Sequence, residues 1–192
     1  QLGLNKDKVI SFFGGNIGHA QDMMNIMRLV LNFEKDKRAY FLLVGQGDEF
    51  ETVGETIKNN SMTNLKLLPS VSQEKYREYI ASADIGLFSL SKMHTSHNFP
   101  GKLLGYMAGS LPILGSVNKG NDVADIINVA KAGAVSLNGN DIQFLKDAKF
   151  MLDNYELRKE MGENSKKLLK TTFAVDIAYK KILSSYFSKV RE

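Results

Sequence analysis

The feature that most constrains this chain is an alternation. Short apolar runs, most of them stopped by glycine or proline, take turns with segments of helical periodicity. The runs lie at 9–13, 39–44, 65–68, 84–88, 111–114 and 133–135. They lack polar/apolar alternation, so they read as strands buried on both faces. Between the first two, Met23, Met24, Met27, Val30 and Leu31 fall at helical spacing within 21–33. Further helices are expected at 48–59, at 72–81 behind a Ser72 cap, at 100–109 and at 122–130. Pro100 suits a helix start because its missing N–H is not needed there. Strands separated by helices of about 10–15 residues imply parallel crossovers. The expected class is therefore α/β: a doubly wound, mostly parallel six-stranded Rossmann-like sheet. Beyond Asn138 only helix is expected, with a break near Gly162 and a last helix from about 173 to 189. This reading divides the chain into a Rossmann-like domain at 1–170 and a helical C-terminal extension at 171–192.

Composition narrows the function. With 192 residues and 43% hydrophobic content, the chain can bury a substantial core. It has no cysteine, which excludes disulfides, zinc-thiolate sites and cysteine nucleophiles. No apolar run approaches the roughly 20 residues of a membrane span. The opening segment 4–8 is too polar for a signal peptide. These features suggest a cytoplasmic protein. The first residue is Gln1 rather than Met, and we read the chain as a piece of something longer. The net charge of +4 is concentrated at one end, since 155–192 carries nine Lys/Arg against five Asp/Glu. That surplus reads as a solvated helix surface, or as one facing anionic lipid at the inner face of a membrane or an acidic partner. No arginine-rich stripe or aromatic ladder accompanies it, so nucleic acid is not an expected partner.

In a doubly wound sheet, ligands bind at the carboxyl ends of the strands. The first such segment is Gly14-Gly15-Asn16-Ile17-Gly18-His19. Its glycines would let a ligand approach the backbone, and the following helix start would offer free N–H groups to a phosphate. The spacing is not the dinucleotide fingerprint Gly-x-Gly-x-x-Gly, and no acid ends the second strand. A nicotinamide cofactor is disfavoured, and there is no Walker lysine. The second segment, Asn98 to Leu104, places Lys102 in the first turn of a helix, where a cation opposes the helix dipole. A nearby anion would offset that. The third segment, Gly115 to Asp122, is polar and could grip a polar group. Each segment alone is also readable as an ordinary turn. Together they suggest a nucleotide diphosphate held by backbone amides and one lysine.

His19 is a candidate ligand contact. His94 and His97 are three residues apart without a carboxylate pattern, and no Asp-x-Asp pair occurs. No metal site and no resident cofactor are expected.

The segments 13–18 (Phe-Gly-Gly-Asn-Ile-Gly), 43–47 (Leu-Val-Gly-Gln-Gly), 99–109 (Phe-Pro-Gly-Lys-Leu-Leu-Gly-Tyr-Met-Ala-Gly) and 111–115 (Leu-Pro-Ile-Leu-Gly) carry a family resemblance. The chain resembles the C-terminal, nucleotide-sugar-binding half of a GT-B glycosyltransferase of the family 4 type. It is most similar to the bacterial surface-polysaccharide branch, including L-fucosamine transferase-like enzymes. The resemblance covers nearly the whole chain. It implies a retaining, metal-independent transfer from a nucleotide sugar to a saccharide or lipid-linked acceptor in lipopolysaccharide or capsule synthesis. It also implies an N-terminal acceptor domain outside this chain, so that this chain alone binds donor and catalyses little. By the resemblance, Gly14, Gly15, Asn16 and Gly18 would line the diphosphate. Lys102 would neutralise it with the amides of Leu103 and Leu104, and Ser70 and Val71 would carry the base. No catalytic residue is assigned. Many relatives carry two glutamates at the positions of His97 and Gly105, and basic residues in and after the first glycine loop. Here those side chains are replaced. A nucleotide-sugar epimerase of the same architecture, with His19 or His97 as acid/base, and a non-catalytic nucleotide-sugar-binding module are the alternatives.

Overall fold

A computed structural model describes residues 7–93, 98–177, 179, 180 and 183. Six strands are β1 (Val9–Asn16), β2 (Ala39–Gln46), β3 (Leu65–Leu68), β4 (Ile85–Ser89), β5 (Ile113–Val117) and β6 (Gly133–Leu137). Helices are α1 (Met23–Asn32), α2 (Phe50–Asn59), α3 (Gln73–Ser82), α4 (Lys102–Ala108), α5 (Val123–Val129), α6 (Asp141–Asp153) and α7 (Tyr155–Leu168). A 3-10 turn, His19–Gln21, precedes α1, and a π turn, Leu169–Phe173, follows α7. The strands form one parallel sheet in the order β3-β2-β1-β4-β5-β6. This is the expected doubly wound architecture.

Both faces of the sheet are covered, which is why its strands read as apolar runs. Phe13, Phe41, Leu43, Ile85, Leu87 and Leu114 pack with α1 and α6 on one side. Phe12, Leu42, Val44, Phe88 and Ile113 pack with α4 and α5 on the other. Successive strand residues point to opposite faces, so each run supplies both cores.

Several boundaries differ from the sequence expectation, three of them with consequences for the fold. β1 does not stop at Phe13; it stays paired with β2 through Gly14↔Val44, Gly15↔Gly45 and Asn16↔Gln46. β5 begins after Pro112 and runs through Gly115 and Ser116, which sequence placed in a loop. The expected break near Gly162 is absent. α7 is continuous there, and the interruption falls at Asn154, between α6 and α7. Gly162 is instead a packing glycine, since a Cβ on it would collide with the Ser110 carbonyl. The last helix expected at 173–189 lies mostly outside the described residues.

Candidate functional site

The chain order reverses between β1 and β4, so a crevice opens there at the carboxyl edge of the sheet. A cavity of about 440 Å³ occupies it. β1 contributes Gly14, Gly15 and Asn16, and β2 contributes Val44 and Gly45. Ser70 and Val71 come from the β3–α3 loop, Gln73 and Tyr76 from α3, and Lys102 from α4. None of these described lining residues is acidic.

Lys102 dominates the electrostatics. Its Nζ is shielded from solvent and has no hydrogen-bond partner among the described residues. It sits 3.6 Å from the centroid of the Phe13 ring. Burial pushes its pKa down to about 7. A buried ammonium without a hydrogen-bonded partner is costly, and an anion would relieve that cost. Gly15 leaves the approach open. Its φ of +112° favours glycine, and a Cβ there would lie 3.8 Å from Nζ.

Tyr76 covers the side-chain face of Gly14, where any Cβ would collide with the phenol ring. Burial raises its phenol pKa. Tyr76 and Gln73 also line a neighbouring groove between α3 and α4 that continues past Gly105.

The expected anion site at the α1 N-terminus is not open. Asp22 caps α1, its carboxylate accepting from Asn25 N at 3.2 Å. Glu49 Oε2 accepts from Met23 N at 3.4 Å. Two carboxylates therefore take the place that sequence gave to a phosphate. Gly18 packs against Asp48, and the Asn16 side-chain amide donates to Gln21 Oε1 at 2.8 Å. The His19 ring lies 2.7 Å from Glu49 Oε1 and 3.6 Å from Asp48 Oδ2. The Glu49 hydrogen bond, then the Asp48 charge, raise its pKa. Neither Gly18 nor His19 is among the residues lining the crevice.

The amides of Leu103 and Leu104 are also engaged. They donate to Pro100 O at 3.0 Å and Gly101 O at 3.2 Å, closing the turn that starts α4. Leu103 is buried in the core, and Leu104 is partly exposed away from the crevice lining. The third segment does not converge on the site. Gly115 and Ser116 are buried in β5, and Asn121 Nδ2 donates to Asn118 Oδ1 at 2.9 Å. His94 and His97 lie outside the described residues.

The structure thus brings together Gly14, Gly15, Asn16, Ser70, Val71 and Lys102. It adds Tyr76, Gln73, Val44 and Gly45, which sequence reasoning did not select. The available signal was positional: Gln73 and Tyr76 occupy the first turn of the helix that follows a selected loop.

The family model described as "Glycosyl transferases group 1" matches residues 1–168. A curated relative, the probable glycosyltransferase WbjE of Pseudomonas aeruginosa, is 25% identical over 128 residues. That match covers 67% of this chain and 32% of WbjE, so the matched region spans about a third of the relative. Among solved structures, the chain is similar to S. aureus TarM in complex with fondaparinux, alpha-GlcNAc-glycerol and UDP. The TM-score is 0.79 at 14% identity, covering 95% of this chain and 36% of TarM. It is also similar to WaaG, a glycosyltransferase involved in lipopolysaccharide biosynthesis. There the TM-score is 0.75 at 16% identity, covering 93% of this chain and 47% of WaaG. At these identities the two structures speak to the fold.

Proposed function

The chain belongs to the group 1 glycosyl transferases, and we propose that it is the donor-binding half of a retaining, metal-independent member of that family. The observation that carries the reading is the solvent-shielded Lys102 ammonium, which among the described residues has no hydrogen-bond partner and shares its crevice with no acidic side chain. That arrangement is complementary to a diphosphate. Gly14 and Gly15 would let the phosphates approach the strand ends, and Ser70 and Val71 would flank the nucleoside. As the glycosidic bond to the donor breaks, negative charge grows on the leaving diphosphate. A fixed cation in a water-poor site stabilises that charge with little reorganisation. Lys102 would fill the role that a divalent ion plays elsewhere. The retaining outcome follows from the family resemblance.

The acceptor is a saccharide or lipid-linked saccharide, bound through an N-terminal domain that precedes this region in the whole protein. The pathway is lipopolysaccharide or capsule synthesis, in line with the involvement of WaaG in lipopolysaccharide biosynthesis. No helix among the described residues is long and apolar enough to cross a membrane. The surface of Lys166, Lys167 and Lys170, net basic with Glu163 among them, is suited to peripheral contact with the inner face of a membrane, in the cytoplasm.

Thermal unfolding with UDP, GDP, their sugar conjugates and NAD, with and without magnesium, tests this. Saturation at about 100 times Kd adds about 2.7 kcal/mol of stability. The expected result is a magnesium-independent shift with one nucleoside diphosphate and its sugar conjugate. No shift with any nucleotide, or one with NAD alone, sinks the reading.

A further inference from the structure

The pairing of β1 with β4 stops early. The register runs Ser11↔Ile85 and Phe12↔Gly86 and goes no further. In a parallel ladder of that register, the next rung from this side of β1 would join Gly14 N to Leu87 O. A side chain occupies that rung. The Tyr106 hydroxyl accepts from Gly14 N at 3.0 Å and donates to Leu87 O at 3.1 Å. One direct backbone bond is replaced by two bonds through a hydroxyl, and the strands stand apart by its width.

Tyr106 is fully buried, and its ring lies against β4 at Gly86, where a Cβ would collide with it. Packing alone would be met by phenylalanine, with the strands free to close the rung directly. A buried hydroxyl is tolerated only when it is hydrogen-bonded, and this one makes both of its bonds at the switch point, to β4 and to Gly14 of β1, which lines the crevice. Lys102 is four residues earlier on α4, so both side chains leave the same helix face. The rung therefore fixes α4 against Gly14, and with it the Lys102 ammonium between the Phe13 ring and Gly15.

We propose that the Tyr106 hydroxyl is a spacer that holds the β1–β4 crevice open and positions Lys102 against Gly14 and Gly15 for the ligand anion. It is a positioning residue. The ligand part of the inference rests on the donor-site reading, whereas the spacer itself does not.

The test compares the chain with its Tyr106→Phe variant, ligand-free and with UDP. NMR of the lysine side chains reads the Lys102 titration, hydrogen exchange reads the Gly14 amide, and calorimetry reads UDP affinity. In Tyr106→Phe, Lys102 is expected to titrate at least one pH unit closer to the ordinary lysine range. The Gly14 amide should exchange faster, and UDP should bind at least tenfold more weakly. Replacement of Tyr106 by 3-fluorotyrosine, which keeps a para hydroxyl able to accept from Gly14 N and donate to Leu87 O, should keep all three near the parent values. A variant that only unfolds at lower temperature, with Lys102 titration and UDP affinity unchanged, overturns the proposal. Should Tyr106→Phe fail to fold, the unsubstituted chain decides: a Gly14 amide exchanging as fast as exposed loop amides overturns the spacer, and interior-like protection supports it. A shift in Lys102 titration in a chain that binds no UDP would uphold the spacer and refute the donor-site reading.

Discussion

The Lys102 ammonium lies 3.6 Å from the centroid of the Phe13 ring, with no hydrogen-bond partner among the described residues. A ring face contributes about 0.5–2 kcal/mol to a cation. Removing an ammonium from water costs several kcal/mol even after relaxation. The ring therefore offsets only part of the cost, and the remainder appears as a pKa pushed down to about 7. Gly15 also adjoins the ammonium, Tyr76 lines the same crevice, and no carboxylate is among its described lining residues.

Two opposite pH slopes follow. The unfolded chain holds the lysine proton up to about pH 10.4, whereas the folded, empty site releases it near 7. Between those values the unfolded state binds more protons, so this group makes stability rise with pH and withdraws that stability as pH falls through 7. Anion binding runs the other way because it requires the ammonium. Affinity for a UDP-sugar, whose diester phosphates do not titrate near neutrality, should fall by up to roughly tenfold per unit above pH 7. Calorimetry from pH 6 to 9 checks this, and a flat profile would contradict it.

Lys102→Met should separate stability from binding. Methionine fills much of the same space without the charge. The free chain should become more stable, with a higher midpoint in urea. Nucleoside diphosphate binding should weaken by roughly 1–3 kcal/mol, the range for a charge-assisted contact. Loss of both together would mean that Lys102 is structural.

Much of this is legible in the sequence alone, for reasons that particular residues show. Phe12 and Phe13 pack into opposite cores, so a strand covered on both faces has to be apolar throughout. The rule that ligands lie at strand ends selects Gly14, Gly15 and Asn16, whereas Ser70 and Val71 come from the family resemblance. Lys102 was selected separately, as a cation in the first turn of a helix. Boundaries were harder. Gly14-Gly15 signals a turn, yet the strand continues because Gly45, lacking a Cβ, can lie against the Gly15 carbonyl. The α1 N-terminus looked open because Glu49, which reaches Met23 N, is 26 residues away in sequence. Tyr76 went unselected because which face α3 presents depends on how it crosses the sheet.

His19 should titrate above its ordinary value, because the Glu49 hydrogen bond and the Asp48 charge favour the imidazolium. A raised folded pKa means that its contribution to stability is full below about 6.5 and fades as pH rises through the folded value. Proton NMR of the ring reads the titration. Glu49→Gln should move it down toward 6.5 while leaving nucleotide affinity unchanged, since neither side chain is among those lining the crevice. A large loss of affinity in that variant would place His19 back among the ligand contacts.

Gly162→Ala offers a test whose sign runs against helix propensity. Gly162 lies inside α7, where alanine normally stabilises by about 1 kcal/mol. Here a Cβ would collide with the Ser110 carbonyl, and backbone cannot yield as a flexible side chain can. Ser110 sits at φ +57° between α4 and β5, so displacing it disturbs the end of the helix that carries Lys102. The net effect should be destabilisation of about 1–3 kcal/mol, the usual cost of overpacking. Urea unfolding measures it. A variant more stable than the parent would contradict the close approach of Gly162 to the Ser110 carbonyl.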